Sequence, residues 1–244
     1  MVRWPMATLF VASVTLAVAA AAADVPALVP FGNAGGAPAS PWKVAGLPQQ
    51  TKPFTQFSVV EVDGKRALKV ESKESYGNLV HPLQWSTKAA HLAWQWRIDE
   101  PVPGADLRTK QGDDTALKVC VFFDLSIDKI PFADRQLLRY ARSKATEPVP
   151  AATVCYVWDA TIPAGTSLDN AFTRRMRYMV VSSGEKAVGQ WQSERRDIIA
   201  DYLKLFADET GGEVPAITGI AIGADSDNTH THSLGYVSGI TLEP

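Results

Sequence analysis

The chain has 244 residues, 46% of them hydrophobic and 20% charged, with a formal net charge of −2 at pH 7. That length suits one or two globular domains, and an all-β sandwich can use this much chain in one. The near balance of charge gives no electrostatic case for nucleic acid, which usually demands a basic patch.

The first 23 residues read as a secretory signal peptide. Arg3 supplies a positive start, Met6 to Ala20 is an apolar run, and Ala21, Ala22 and Ala23 offer small residues before Asp24. The alternative is a retained anchor, because an uncleaved run of about 18 residues almost spans a bilayer. No cysteine follows the run, which argues against a lipid anchor. The expectation is a periplasmic or secreted protein, Asp24 to Pro244, folded as one domain with no stable membrane insertion after cleavage.

From Asp24 to Pro53 the chain is rich in Gly, Pro and Ala, and reads as an extended leader that lays Phe31 and Trp42 onto the body. Strands follow. "FSVVEVDGKRALKVES" alternates on both sides of Asp63-Gly64, the signature of a two-residue hairpin turn. "LAWQWRID" sets Leu92, Trp94, Trp96 and Ile98 on one face, and "ALKVCVFFD" does the same with Leu117, Val119, Val121 and Phe123. "TVCYVWD", "RMRYMVVS", "ITGIAIGA" and "LGYVSGITLE" predict further strands. Helices are predicted over Pro131 to Lys144 and over Ser193 to Asp208, the second with Ser193 as its cap but Arg196 where a capping box wants Glu. Many short strands with polar turns predict a mainly β, antiparallel, jelly-roll-like β-sandwich with two peripheral helices.

The motifs "SYGNLVHPL", "LAWQWRID", "ADLRTKQGDDTALKVCVFFD", "CYVWD", "GQWQSERRDIIADYLKLF" and "GIAIGADSDNTHTHSLGYVSGITLEP" occur in an order that resembles the bacterial domain-of-unknown-function family 3047. The resemblance covers nearly the whole chain after the signal segment. It implies an exported bacterial protein and no particular activity. More loosely, the closing strand pair is similar to the end of jelly-roll sandwiches of the carbohydrate-binding and concanavalin-like kinds.

Cys120 and Cys155 are the only cysteines, and both lie on predicted strands. In an oxidising compartment a single bridge is plausible; two buried thiols are the alternative. The stretch "ADSDNTHTH" invites a metal reading. Asp225, Asp227 and Asn228 offer the hard oxygens that suit calcium, and His230 and His232, one residue apart, suit zinc or copper. The competing account is a polar turn between two strands, where Asp and Asn bond nearby amides.

Familiar catalytic signatures such as G-x-S-x-G and H-E-x-x-H are absent. Lys118 sits mid-strand, opposite an apolar set, and must reach solvent, a carboxylate or a ligand. If the strands pair suitably, Gln95, Arg97, Lys118 and Arg177 line one polar face, with Trp158 as a further ligand contact. Such a face suits hydroxyl-rich or acidic ligands. The leading expectation is therefore a module binding a carbohydrate or envelope glycan, with calcium as an optional structural ion. One alternative is a polysaccharide lyase or glycoside hydrolase using Lys118, Arg97, Asp114 or Tyr156, with His81 beside them. Another is a protein-interaction module of the envelope. The basic run Arg135, Arg139, Arg142 and Lys144 reads as a solvated helix face, with anionic surfaces a minor alternative.

Overall fold

A computed structural model of the chain describes residues 25–244 and Met1; the rest of the expected signal segment lies outside the described residues. The alternating runs form strands because their period of two puts apolar side chains on one face. In chain order these are β1 (Lys43–Ala45), β2 (Gln56–Val62), β3 (Lys65–Lys73), β4 (Tyr76–Trp85), β5 (His91–Glu100), β6 (Lys118–Phe123), β7 (Ala152–Asp159), β8 (Ser167–Asp169), β9 (Met176–Ser183), β10 (Gln192–Asp197), β11 (Ile217–Asp225) and β12 (His232–Glu243). The helices are α1 (Phe132–Lys144), α2 (Ile198–Leu205) and α3 (Ala207–Thr210). The β2–β3 hairpin turns at Asp63-Gly64, whose φ values of 51° and 71° are those of a type I′ turn.

The strands make a sandwich of two sheets. One has seven strands in the order β1-β4-β11-β6-β7-β9-β8, the other five in the order β10-β5-β12-β3-β2. Between them lie Leu92, Trp94, Trp96 and Ile98 of β5, facing Val119, Val121 and Phe123 of β6 and Tyr156 and Trp158 of β7. The Trp94 and Tyr156 rings meet across the gap with centroids 5.3 Å apart. A large aromatic of this kind buries about 150–250 Å², worth about 4–6 kcal/mol by area. The leader adds Phe31 and Trp42, both buried in the same core.

Four features depart from the sequence expectation. Among the described residues all strand pairs are antiparallel except β7 with β9, which is parallel. "QSERRD" is strand β10, an edge partner of β5, and not the start of a helix. Helix α2 begins only at Ile198, where Asp197 accepts from the Ile199 and Ala200 amides, so the cap is Asp197 and not Ser193. Edge pairing with β5 outweighs the helix propensity of Glu194 and Arg195. Finally, the leader contributes β1, and "YGNLVHPLQW" forms β4, which pairs with β1 and β11.

Candidate functional site

The loop "ADSDNTHTH" carries the chain from one sheet to the other, since β11 lies in the seven-stranded sheet and β12 in the five-stranded one. It works as a clasp. Asp225 accepts from the Thr115 amide at 2.8 Å, from the Thr115 hydroxyl, and from the Lys118 ammonium at 2.7 Å. Asp114, buried beneath the loop, accepts from the Asn228 amide and side chain and from the Thr229 amide and hydroxyl. Ser226, fully buried, bonds Ser72. His230 is exposed 3.6 Å from Glu74, while His232 lies between Glu71 and Glu100.

The five expected metal ligands are therefore not brought together. Asp225 faces Lys118, Asn228 spends its amide as a donor to the Asp113 carbonyl and Asp114, and the two histidines meet separate glutamates. Asp227, its acidity lowered by burial and by the neighbouring Asp114 and Asp225 charges, has no histidine beside it in these contacts. Among the described residues no group of three or more His, Cys, Asp or Glu side chains has the arrangement of a metal site. The Asp225 oxygens already answer Thr115 and Lys118, and the histidines point to other carboxylates, so the five side chains do not converge on one ion.

The expected polar face is also divided. Gln95 and Arg97 lie on the outer face of the five-stranded sheet, where Gln95 takes Lys65 and Arg97 is held by Asp63 and Asp99. Lys118 lies on the outer face of the other sheet. Trp158 is buried between the sheets, and Arg177 sits over the Phe206 ring, bound to Asp208 and Glu209. The strands alternate as expected, but their polar positions fall on two sheets rather than on one side of one sheet. The catalytic candidates are likewise occupied: the Tyr156 hydroxyl donates to Asp201 between the sheets, Asp114 is saturated by the loop, and Arg97 is in an ion-pair cluster. His81 is a neutral anchor for the leader. Its Nε2 accepts the Val29 amide while Nδ1 donates to the Pro82 carbonyl, and burial pushes its pKa down.

The cysteines form a disulfide, Cys120–Cys155, across adjacent strands β6 and β7. It lies on the outer face of the seven-stranded sheet, where a groove of about 940 Å³ runs over the strands. Beneath the groove the central strand is bare: Gly219, Ala221 and Gly223 occupy its outer face in register with Phe122, Cys120 and Lys118, and the Phe122 and Asn78 side chains lie over the two glycines. A Cβ on Gly223 would stand 2.2 Å from Asn78 Oδ1 and 2.8 Å from the Gly77 carbonyl, so only glycine lets β4 lie so close. Tyr76, Asn78 and Val80 of β4, Phe122 of β6 and Thr153 of β7 line the groove. Leader residues 45–50, Phe54, Leu137 and Ala141 of α1, the segment 144–151 and Phe172 also line it. Lys43 and Glu147, from opposite walls, form an ion pair. Two rings at the mouth, Phe54 and Phe172, are 51% and 53% exposed, so core packing does not account for them.

One end of the groove rests on a buried polar cluster. Burial alone would push the Lys118 ammonium down, yet the Asp225 carboxylate holds it above the usual lysine range. Its Nζ lies 4.9 Å from the Tyr76 ring centroid, and the Tyr76 hydroxyl accepts from the Asn78 amide at 3.1 Å. Lys118 thus lies against one groove residue, Tyr76, whose hydroxyl in turn holds Asn78. Beside it Asp113 is pushed up to about 6, by burial first and then by the Asp225 charge, against hydrogen bonds from Tyr178 and Asn170. The groove was not legible residue by residue. Its signals were the small residues alternating in "GIAIGA" and the polar alternation of Tyr76 and Asn78.

The family described as Protein of unknown function (DUF3047) matches residues 40–241. A search of curated proteins returned no match. Among solved structures, the carbohydrate-binding module TmCBM61, in complex with β-1,4-galactotriose, is 10% identical over 84% of this chain and 88% of that one, with a TM-score of 0.35. The family 11 carbohydrate-binding module of the cellulase Lic26A-Cel5E of Clostridium thermocellum is 9% identical over 91% and 95%, with a TM-score of 0.41. The endoglucanase 3 of Trichoderma harzianum, from family GH12, is 12% identical over 91% and 97%, with a TM-score of 0.40. Likeness at this level carries no argument about what this chain binds.

Proposed function

We propose, for a chain that belongs to the family Protein of unknown function (DUF3047), that it is an exported binding protein whose outer groove holds a segment of glycan. The observation that carries this reading is the pair of exposed rings, Phe54 and Phe172, at the mouth of a groove floored by amide and hydroxyl groups. Flat apolar rings suit the CH faces of sugars, and Asn78, Tyr76, Thr153 and Thr218 supply polar partners along the floor. The groove volume of about 940 Å³ lies within the range of ligand sites. Work outside the cytoplasm is supported by the Cys120–Cys155 bridge, since disulfides persist in oxidising compartments. The disulfide and the groove share one sheet face, so one redox state and one site go together.

The test is a glycan array followed by calorimetry on the best ligand. Phe54→Ala and Phe172→Ala should each weaken binding about tenfold, because losing about 30–60 Å² of apolar contact at about 25 cal/mol per Å² is about 1 kcal/mol or more. The melting temperature should hold, because neither ring is buried. No glycan bound, or full affinity in both variants, would overturn the reading.

A further inference from the structure

Helix α1 has an unusual exposed side. Leu138 is its one buried residue, and it lies against the core. Phe132 is 73% exposed, and Leu137 and Tyr140 are each 63% exposed. Phe132, Arg139 and Tyr140 stand seven and eight residues apart, so they share one stripe of the helix. An isolated exposed ring needs no explanation, but two rings and a leucine on 13 residues form a patch.

The charge on the same helix has one sign. Its basic residues are Arg135, Arg139, Arg142 and Lys144, and its only acid, Asp134, faces inward to an ion pair with Arg175. Arg139 and Lys144 are exposed, and Lys144 reaches over the Tyr140 ring. The chain as a whole is slightly acidic, with a net charge of −2, so this helix is a local positive exception. Aromatic rings interleaved with cations on a short helix are the chemistry of a segment lying in the headgroup region of an anionic bilayer.

We infer that the exposed side of α1 docks the protein on an anionic lipid bilayer. Charge complementarity selects that occupant over an apolar protein surface, which would leave Arg139 and Lys144 without partners. Docking is peripheral: no helix among the described residues is long and apolar enough to cross a membrane. Leu137 also lines the groove, so the docked helix forms one wall of that cavity and brings its mouth to the lipid surface.

The test is co-sedimentation of the full chain with vesicles of phosphatidylcholine alone or with 30% phosphatidylglycerol, taken as a probe of about that composition. Any contribution of the N-terminal segment is common to all variants, so differences between variants report on α1. Arg139→Glu with Lys144→Glu should lower partitioning to the anionic vesicles by at least about 30-fold, each basic residue near such a surface contributing about fivefold. Phe132→Ser with Tyr140→Ser should lower it as well. The charge-matched control Arg66→Glu with Lys73→Glu, on exposed residues of β3, should bind as the unaltered chain does. Binding should weaken with salt. Equal partitioning of α1 and β3 variants overturns the inference. So does a vesicle-free change in sedimentation coefficient confined to the α1 variants, which would make the face a contact between protein copies. Loss of glycan binding by Phe54→Ala, a groove residue outside α1, is a separate readout, so failure of the groove reading and failure of the docking face are told apart.

Discussion

Replacing Lys118 by Met removes the ammonium from a pair whose side chains are 1% and 5% exposed. Met fills a similar volume, so the change is mainly electrostatic. Asp225 keeps its two bonds from Thr115 but loses the cation that bonds it, and a buried carboxylate left in this way costs about 3–5 kcal/mol. For a domain of this size that is a fall in melting temperature of about 10 °C. Urea unfolding should show a lower midpoint with an unchanged slope, since the surface exposed on unfolding stays the same. Adding Asp225→Asn should recover part of the loss, because the pair is then replaced by neutral groups. The coupling between the two sites should reach about 2 kcal/mol or more. A cost below about 1 kcal/mol for Lys118→Met, or strict additivity in the double variant, would refute the view that this pair is buried and mutually dependent.

Asp113 gives a pH signature. Its folded pKa of about 6 stands above the ordinary 3.8, so between those values the folded chain keeps a proton that the unfolded chain has released. Stability from this group is present below about pH 4 and lost as pH rises through about 6, in total about 3 kcal/mol. Asp113→Asn should flatten that fall and melt higher than the parent at about pH 8; an unchanged slope in a pH series of thermal melts sinks the assignment. Gly223→Ala should destabilise by about 1–3 kcal/mol through the approach to the Gly77 carbonyl, while Ala at the exposed turn glycine Gly165 acts only through its backbone φ of 90°. Parental stability of Gly223→Ala in denaturant titration would show that β4 can move away. Cys120→Ser with Cys155→Ser opens a loop of 35 residues and should cost about 4 kcal/mol by chain entropy, read as a lower midpoint in urea; no loss under oxidising conditions would mean the bridge adds nothing.

The sequence made the sandwich legible where alternation was strong. Trp94 and Trp96 share a face with Leu92 and Ile98 because period two allows nothing else, and both are in the core. The Asp-Gly hairpin was equally direct, since its turn type follows from two residues. What alternation cannot tell is which sheet a face belongs to. Arg97 and Lys118 both read as polar positions opposite apolar sets, yet they lie on opposite outer faces of the sandwich. Partner choice between strands distant in sequence decided that, and no local pattern encodes it. The same limit hid the groove, whose walls come from the leader, α1 and the segment before β7, while its floor is made by Tyr76, Asn78, Phe122 and Thr153 from three different strands. β10 was missed because Glu and Arg favour helices locally, whereas pairing with β5 is a tertiary effect.

The crossing loop from Asp225 to His232 has a consequence for how the protein is made. It joins β11, flanked by β4 and β6, to β12, flanked by β5 and β3, so residues 217–243 supply an inner strand to each sheet. On a chain that emerges from its N-terminal side, β4 and β6 wait with an unfilled slot between them, and so do β5 and β3. These four edges are ready-made templates for pairing with other chains. The seven-stranded layer cannot close before Asp225 has appeared, nor the five-stranded one before Glu243, and one short connector delivers both inserts. Assembly is a late, coupled event with long-range contacts, the regime in which folding is slow and aggregation competes. Until residues 217–243 are in place the chain is open to self-association, and a chain cut shortly before residue 217 keeps two half-sheets with nothing to join them.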